Sequence, residues 1–146
     1  MPSVRGCNLP DDLLYDVDNH IWFSEVGDGN VKIGMTAVAT AMSGKLVAFT
    51  PKRVGRSVRA GKSCGTLESG KWVGPAKSAA GGEVIEVNDA MVNEPSIAND
   101  DPYDTGWLLI LKPDEWDSVK GTLVAGADVT TPYEAKMDAE GFGGCA

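Results

Sequence analysis

Two stretches of this 146-residue chain read alike, and that likeness constrains the fold more than any other feature. Gly44-Lys45-Leu46-Val47-Ala48-Phe49 and Gly82-Glu83-Val84-Ile85-Glu86-Val87 both begin with glycine and run into a strand pattern. Each is followed by a turn-rich stretch and a second glycine-led strand, Gly65-Thr66-Leu67 in one copy and Gly106-Trp107-Leu108-Leu109-Ile110 in the other. Two copies of a strand–loop–strand unit specify a mainly β chain, a sandwich with pseudo-twofold symmetry. The join between the copies is Glu68-Ser69-Gly70-Lys71-Trp72, where a tight turn holds Lys71 at the exposed tip of a hairpin, its flanking glycines letting the turn form.

The remaining elements fit around that sandwich. Eighteen glycines and eight prolines without a strict period imply short strands and tight turns. Strands are predicted at 45–49, 63–68, 72–77, 83–87 and 107–111. His20-Ile21-Trp22-Phe23 and Val31-Lys32-Ile33 flank Gly27-Asp28-Gly29-Asn30, the composition of a β-hairpin turn. Thr36 stands as N-cap before the short apolar run Ala37–Met42, and Gly44 is placed to close that helix in the left-handed conformation. Thr131-Pro132-Tyr133-Glu134 sets a capping residue, a first-position proline and a third-position acid ahead of a helix over 132–140, stopped by Gly141.

On length the chain is one domain: an N-terminal segment 1–14, a core 15–113 and a helical extension 114–146. No apolar run has the length of a membrane span, and the opening residues lack the apolar stretch of a secretory signal. Cys7, Cys64 and Cys145 are an odd number, far apart; they read as reduced thiols in a cytoplasm, with Cys64 buried and the other two exposed near the chain ends. The net charge of −8 argues against a nucleic-acid partner. Residues 45–77 nevertheless hold eight basic side chains against Glu68 alone, a net of +7 that leaves −15 for the rest. That bias is either a solvated strand face or a docking surface around whatever sits at its centre. His20, the single imidazole, supports no nucleophilic triad and reads as structural beside Trp22; no cluster has metal-ligand spacing. The chain reads as non-catalytic.

The order of motifs from about Leu9 to Pro113 resembles the glycine cleavage H proteins and their lipoyl-domain relatives. Pro10-Asp11-Asp12-Leu13-Leu14-Tyr15, followed by His20 and Trp22, is similar to that family's opening strand. Val54-Gly55, Val58, Ala60-Gly61, Gly65 and Glu68-Ser69 lead to Lys71 at the family's spacing, and Gly82-Glu83-Val84 follows in register. Asn99-Asp100-Asp101-Pro102-Tyr103 and Gly106-Trp107-Leu108 match its late motif. The resemblance implies a lipoyl-domain fold, the barrel-sandwich hybrid, flanked by short helices and a C-terminal helix. It implies lipoate in amide linkage on Lys71, with Glu68 and Gly82 helping a lipoylating enzyme recognise the hairpin.

The chain also departs from that pattern. Gly70 precedes Lys71, Trp72-Val73-Gly74-Pro75 follow it, and Ile21 stands where an acid is common. With Arg5-Gly6-Cys7-Asn8 and the Gly141–Ala146 tail, this set resembles the lipoate-binding proteins of the heterodisulfide-reductase-like sulfur-oxidising system. That resemblance implies an arm carrying sulfur intermediates in a cytoplasmic route that oxidises thiosulfate-derived or sulfane sulfur to sulfite. The implied partners are a heterodisulfide-reductase-like complex, a dihydrolipoyl dehydrogenase and a lipoate ligase or other lipoylation enzymes. Two alternatives stand beside it: a glycine cleavage H protein carrying an aminomethyl group, and an unmodified β-sandwich interaction module in which Lys71 is an ordinary lysine.

Overall fold

The computed structural model describes residues 3–145. The first half comprises β1 (Ser3–Val4), β2 (Cys7–Asn8), β3 (Leu14–Asp16), β4 (Ile21–Gly27), β5 (Asn30–Met35), α1 (Ala37–Ser43), β6 (Leu46–Pro51), β7 (Ser57–Val58) and β8 (Lys62–Ser69). Then come β9 (Val73–Ser78), β10 (Gly82–Val87), α2 (Asp89–Asn93), α3 (Ile97–Asp100), β11 (Leu109–Pro113), α4 (Trp116–Lys120) and β12 (Val124–Ala125). A 3-10 turn at Gly126–Asp128 leads into α5 (Thr130–Glu140).

A seven-stranded antiparallel sheet in the order β12-β3-β4-β5-β11-β10-β7 faces a three-stranded sheet, β6-β8-β9, and β1 and β2 form a separate hairpin. Strand alternation sorts the apolar residues of the large sheet onto its two faces. In β4, Ile21 and Phe23 join the core between the sheets with Ile33, Leu67, Val84 and Leu111, while Trp22 joins a second core. That second core, with Leu9, Tyr15, Val38, Tyr133 and Met137, fastens α5 and the N-terminal segment to the back of the sheet. The 27–30 turn forms as expected: Gly27 pairs with Asn30 across Asp28 and Gly29, which both take positive φ.

Each glycine-led unit forms an antiparallel pair, β6 with β8 and β10 with β11, one pair in each sheet. The second glycines do not lead their strands, however. Gly65 lies inside β8, where a Cβ would press on Pro51 Cα at 3.0 Å, and Gly106 precedes β11 by three residues. The capping reading at 131–134 also needs correction. α5 begins at Thr130, with Val129 at its cap position and no side-chain capping bond, because the chain enters it already coiled from the 3-10 turn. Pro132 still falls in the first turn, where its missing N–H costs nothing. Gly141 ends α5 in the left-handed region as expected (φ 66°, ψ 28°). Gly44 has positive φ but an extended ψ of −170°, so it turns the chain into β6 without an αL cap.

The reading of all three cysteines as thiols is wrong for two of them. Cys7 and Cys145 form a disulfide across a sequence separation of 138 residues. Cys7 is buried, not exposed as the sequence suggests; only Cys145 is exposed. The fold brings the ends together: the Cys145 N–H donates to the Arg5 carbonyl, and Arg5 reaches Asp138 and the Phe142 carbonyl. Cys64 is the free thiol, buried as expected, and desolvation pushes its pKa up to about 12.

Candidate functional site

β8 and β9 run up to a short turn and present Lys71 at its exposed tip. The Ser69 N–H donates to the Trp72 carbonyl at 2.7 Å, and the Lys71 N–H donates to Ser69 Oγ at 3.3 Å. The turn does not depend on its glycine. Gly70 has no positive φ, and a Cβ there would meet nothing within 4 Å. The Lys71 side chain lies back over the end of α1, where a Cβ on Gly44 would stand 3.2 Å from its Cε.

Beside the amine opens a cleft of about 520 Å³, with Ile21, Met35, Met42 and Trp72 on its apolar wall and His20 and Glu140 at a polar corner. Trp72 is 38% exposed and its ring covers Gly74, where a Cβ would come within 2.5 Å of Cζ2, so Trp72 both packs the turn and faces the cleft. α1 is one wall of the cleft, and it is fixed at both ends. Thr36 Oγ1 accepts from the Ala39 N–H, and Tyr103 Oη accepts from the Ala37 N–H. At the other end Asn99 donates through Nδ2 to the Gly44 and Thr40 carbonyls while Oδ1 accepts from the Leu46 N–H. The late motif 99–103 is thus a staple that sets the helix beneath the Lys71 amine.

The polar corner is a directed chain of hydrogen bonds. Glu140 Oε1 lies 2.8 Å from His20 Nε2, and a carboxylate only accepts, so Nε2 carries the proton of the neutral ring. His20 Nδ1 then accepts from Tyr133 Oη at 2.9 Å, and Tyr133 accepts in turn from Thr36 Oγ1 at 2.9 Å. Burial is the largest influence on His20 and lowers its pKa, with Glu140 pulling the other way. Burial acts to raise Glu140, but His20 and Lys136 outweigh it and hold its pKa below the usual carboxylate value. Lys136 Nζ stands 3.3 Å from the same Glu140 oxygen.

Of the residues singled out from sequence, the structure brings Lys71, Trp72 and His20 to one cleft and leaves Gly82 elsewhere. Glu68 is exposed on β8 opposite Val73, near the tip. Gly82 lies beyond the far end of β9, pairing with Pro113 and Val58. Its lack of a side chain has a packing reason there: a Cβ would stand 2.8 Å from Pro113 Cα. The basic segment does not ring Lys71 either. Lys45 adjoins the tip end of the small sheet, whereas Lys52–Lys62 form the loop and strand start at its opposite end, with Lys77 opposite Ser63. Sequence reasoning missed Glu140, Met35 and Met42, whose signal exists only once α1 and α5 are placed.

Comparison with known proteins decides the relationship. The profile of the Glycine cleavage H-protein family matches residues 13–136. The chain belongs to the glycine cleavage H-protein family. It is 49% identical over 128 residues to glycine cleavage system H protein 5 of Aquifex aeolicus (strain VF5), covering 85% of this chain and 86% of that one. It is 36% identical over 132 residues to a probable glycine cleavage system H protein 2 of Sulfurisphaera tokodaii, with 89% of each chain covered. A crystal structure of a glycine cleavage system H protein from Mycobacterium marinum superposes with a TM-score of 0.73 at 35% identity, covering 87% of this chain and 97% of that one. H-family proteins are non-catalytic carriers that hold lipoate covalently on a lysine. The site of this H-family chain has the parts such a carrier needs: an exposed amine on a rigid tip, and an apolar cleft beside it of a size that takes a small ligand. Among the described residues no helix is long and apolar enough to cross a membrane, and no cluster could hold a metal ion.

Proposed function

We propose that Lys71 is the lipoyl attachment lysine and that the whole chain acts as one carrier unit, its C-terminal extension supplying the α5 wall of the arm's cleft. The observation that carries this is the Lys71 amine, exposed at a two-strand tip and opening onto the 520 Å³ cleft. The bound lipoate supplies a reversible dithiol–disulfide couple on a long arm; the chain supplies its anchor and its shelter. Ser69 and Trp72 hold the tip rigid, Asn99 and Tyr103 hold α1, and the apolar wall excludes water from a docked arm. Glu68, exposed near the tip, is the contact assigned to a lipoylating enzyme, whereas Gly82 serves recognition through the close packing of β10 on β11. The partners of such a carrier are a lipoate ligase or other lipoylation enzymes and a dihydrolipoyl dehydrogenase, acting in the cytoplasm.

The relatives' names support an aminomethyl cargo, as in a glycine cleavage system, better than any other. A specific feature of the cleft favours a second reading, sulfur intermediates on the way to sulfite with a heterodisulfide-reductase-like partner. An aminomethyl cargo brings an amine that needs an acceptor. The cleft's carboxylate, Glu140, already engages His20 and Lys136 through Oε1, leaving Oε2 alone for an amine, and position 21 is a buried Ile rather than an acid. Met35, Met42 and Trp72 instead offer soft, polarizable contacts.

Intact mass after expression in a lipoylation-competent host tests the attachment: one lipoyl group is expected, absent from a folded Lys71→Ala variant. Modification of Lys77 instead, or of no lysine, overturns it. Growth on glycine of a strain lacking its own H protein separates the cargoes. Rescue with no sulfur adduct trapped from thiosulfate or a persulfide donor establishes the aminomethyl reading. Failure to rescue, with a Lys71-dependent sulfur adduct, establishes the other.

A further inference from the structure

The disulfide between Cys7 and Cys145 lies one short helix away from the Lys71 amine. At the C-terminal end of α1, a Cβ built on Gly44 would stand 3.9 Å from Lys71 Nζ. At the other end, Cys145 Sγ sits 3.6 Å from the Ala37 carbonyl oxygen. The helical residues between them span roughly 10 Å at about 1.5 Å per residue. Two surface grooves lie along that side of α1. A groove of about 570 Å³ holds Cys7, Cys145 and Thr40, and an adjoining one of about 550 Å³ shares Asn99 and Asp100 with it and reaches Gly44. This track runs along α1 past Thr40 and Ala41, whereas the arm's own cleft takes Ala39 and Met42. Cys145 is exposed while Cys7 is fully buried, so the bridge offers one sulfur to attack. A lipoyl chain extended from Nζ counts seven bonds to its nearer sulfur, roughly 9 Å at about 1.25 Å of advance per bond. That reach, added to the swing of the exposed Lys71 side chain, is of the order of the helix length.

We propose that the Cys7–Cys145 bridge is the intramolecular redox partner of the arm, taking two electrons from its dithiol form; this rests on Lys71 carrying lipoate. Sγ of Cys145 receives one arm thiolate, the Cys7–Cys145 bond breaks, and Cys7 leaves as a thiolate that takes up a proton given up by the arm. Cys145 leaves next, displaced when the second arm thiolate attacks the arm sulfur joined to it and closes the ring, and it too is protonated. Two electrons and the two protons given up by the arm end on the cysteine pair, and no outside oxidant or reductant enters the step. Cys64 takes no part, being buried with its pKa raised to about 12. The carrier thereby stores a second reducing equivalent pair on its own chain.

The test uses the full-length lipoylated protein with the bridge closed, NADH in excess and catalytic dihydrolipoyl dehydrogenase, quenched into denaturing N-ethylmaleimide and read by intact mass and peptide mapping. The expected result is label on both arm sulfurs and on Cys7 and Cys145, appearing with a first-order rate independent of protein concentration. A Lys71→Arg variant, checked to melt at the same temperature, keeps its bridge closed under the same mixture. Free dihydrolipoamide at 10 µM opens the variant's bridge about a hundredfold more slowly, as an effective concentration in the millimolar range for a tethered group requires. A reduced arm beside a closed bridge overturns the proposal while leaving Lys71 lipoylation intact. Opening at equal rates in the Lys71→Arg variant also overturns it, because the reductase then acts on the bridge directly. Absence of lipoyl mass from Lys71 overturns the attachment itself, and the same spectrum shows which has failed.

Discussion

Cutting the Cys7–Cys145 bridge removes a restraint from the unfolded chain that closes almost its whole length. With the cysteines 138 positions apart, the loop-entropy relation gives about 17 cal/mol/K, or about 5 kcal/mol at 25 °C. Unfolding entropy of about 2.1 cal/mol/K per residue makes the total about 0.3 kcal/mol/K here, so the melting temperature should fall by roughly 15 °C. The assay is scanning calorimetry of the wild type, of Cys145→Ser, and of each with a phosphine reductant. Cys145→Ser is chosen because its side chain is exposed, so little packing is lost with the sulfur. Reduced wild type and the variant should melt together, and the reductant should leave the variant unchanged, since its remaining thiols form no bridge. A fall of less than about 3 °C would refute the reasoning: the ends would then be held near each other in the unfolded chain, or by contacts such as Arg5 with Asp138 alone.

Acid should loosen the back of the cleft. His20 has its folded pKa below 6.5, so the unfolded chain binds a proton that the folded one refuses; its stabilisation is full above pH 6.5 and is lost as pH falls below it. Glu140, with its pKa held low, loses its contribution in the same direction below about pH 4.5, so melting curves between pH 7 and 4 should slope less in His20→Asn than in wild type. Gly82→Ala should cost about 1–3 kcal/mol in urea unfolding because the added methyl meets the backbone of β11, whereas Gly70→Ala should stay within about 0.5 kcal/mol. Lys45→Glu, at the tip end of the small sheet, should raise the KM of the lipoylated carrier for dihydrolipoyl dehydrogenase at low salt, while reversal of Arg56 and Arg59 together should not. The opposite pattern in steady-state kinetics would return the docking role to the far-end loop.

What was legible in the sequence was local. The 27–30 turn, the Thr36 cap and the hairpin tip at Lys71 each follow from residues within a few positions of one another, and each forms. The start of α5 was misread because its entry is set by a preceding 3-10 turn and not by a side-chain cap. The disulfide was misread for a deeper reason. An odd cysteine count and wide spacing say nothing about chain ends that a fold brings together, and Cys7 and Cys145 meet only because β1, β2 and the tail after α5 pack against one another. The cleft was invisible for the same reason: Ile21, Met42, Trp72 and Glu140 come from four distant stretches of chain.

The placement of the site follows from the division of labour between the two cores. The core between the sheets fixes the hairpin that carries Lys71, through Leu67, Ala76 and Leu46 beneath the tip. The second core fixes α5, through Tyr133 and Met137, and with it the carboxylate at the back of the cleft. α1, like β4, touches both, with Val38 buried in the second core and Ala39 packed on the first, and it is α1 that separates the Lys71 cleft from the bridge. Lys71 therefore stands where one helix gives access to two different environments: a sheltered apolar cleft on one side and a sulfur–sulfur bond on the other. A carrier whose arm swings between partner enzymes needs the first of these. The second restrains the two chain ends, and its place one helix from Lys71 is what puts it within the compass of a group carried there.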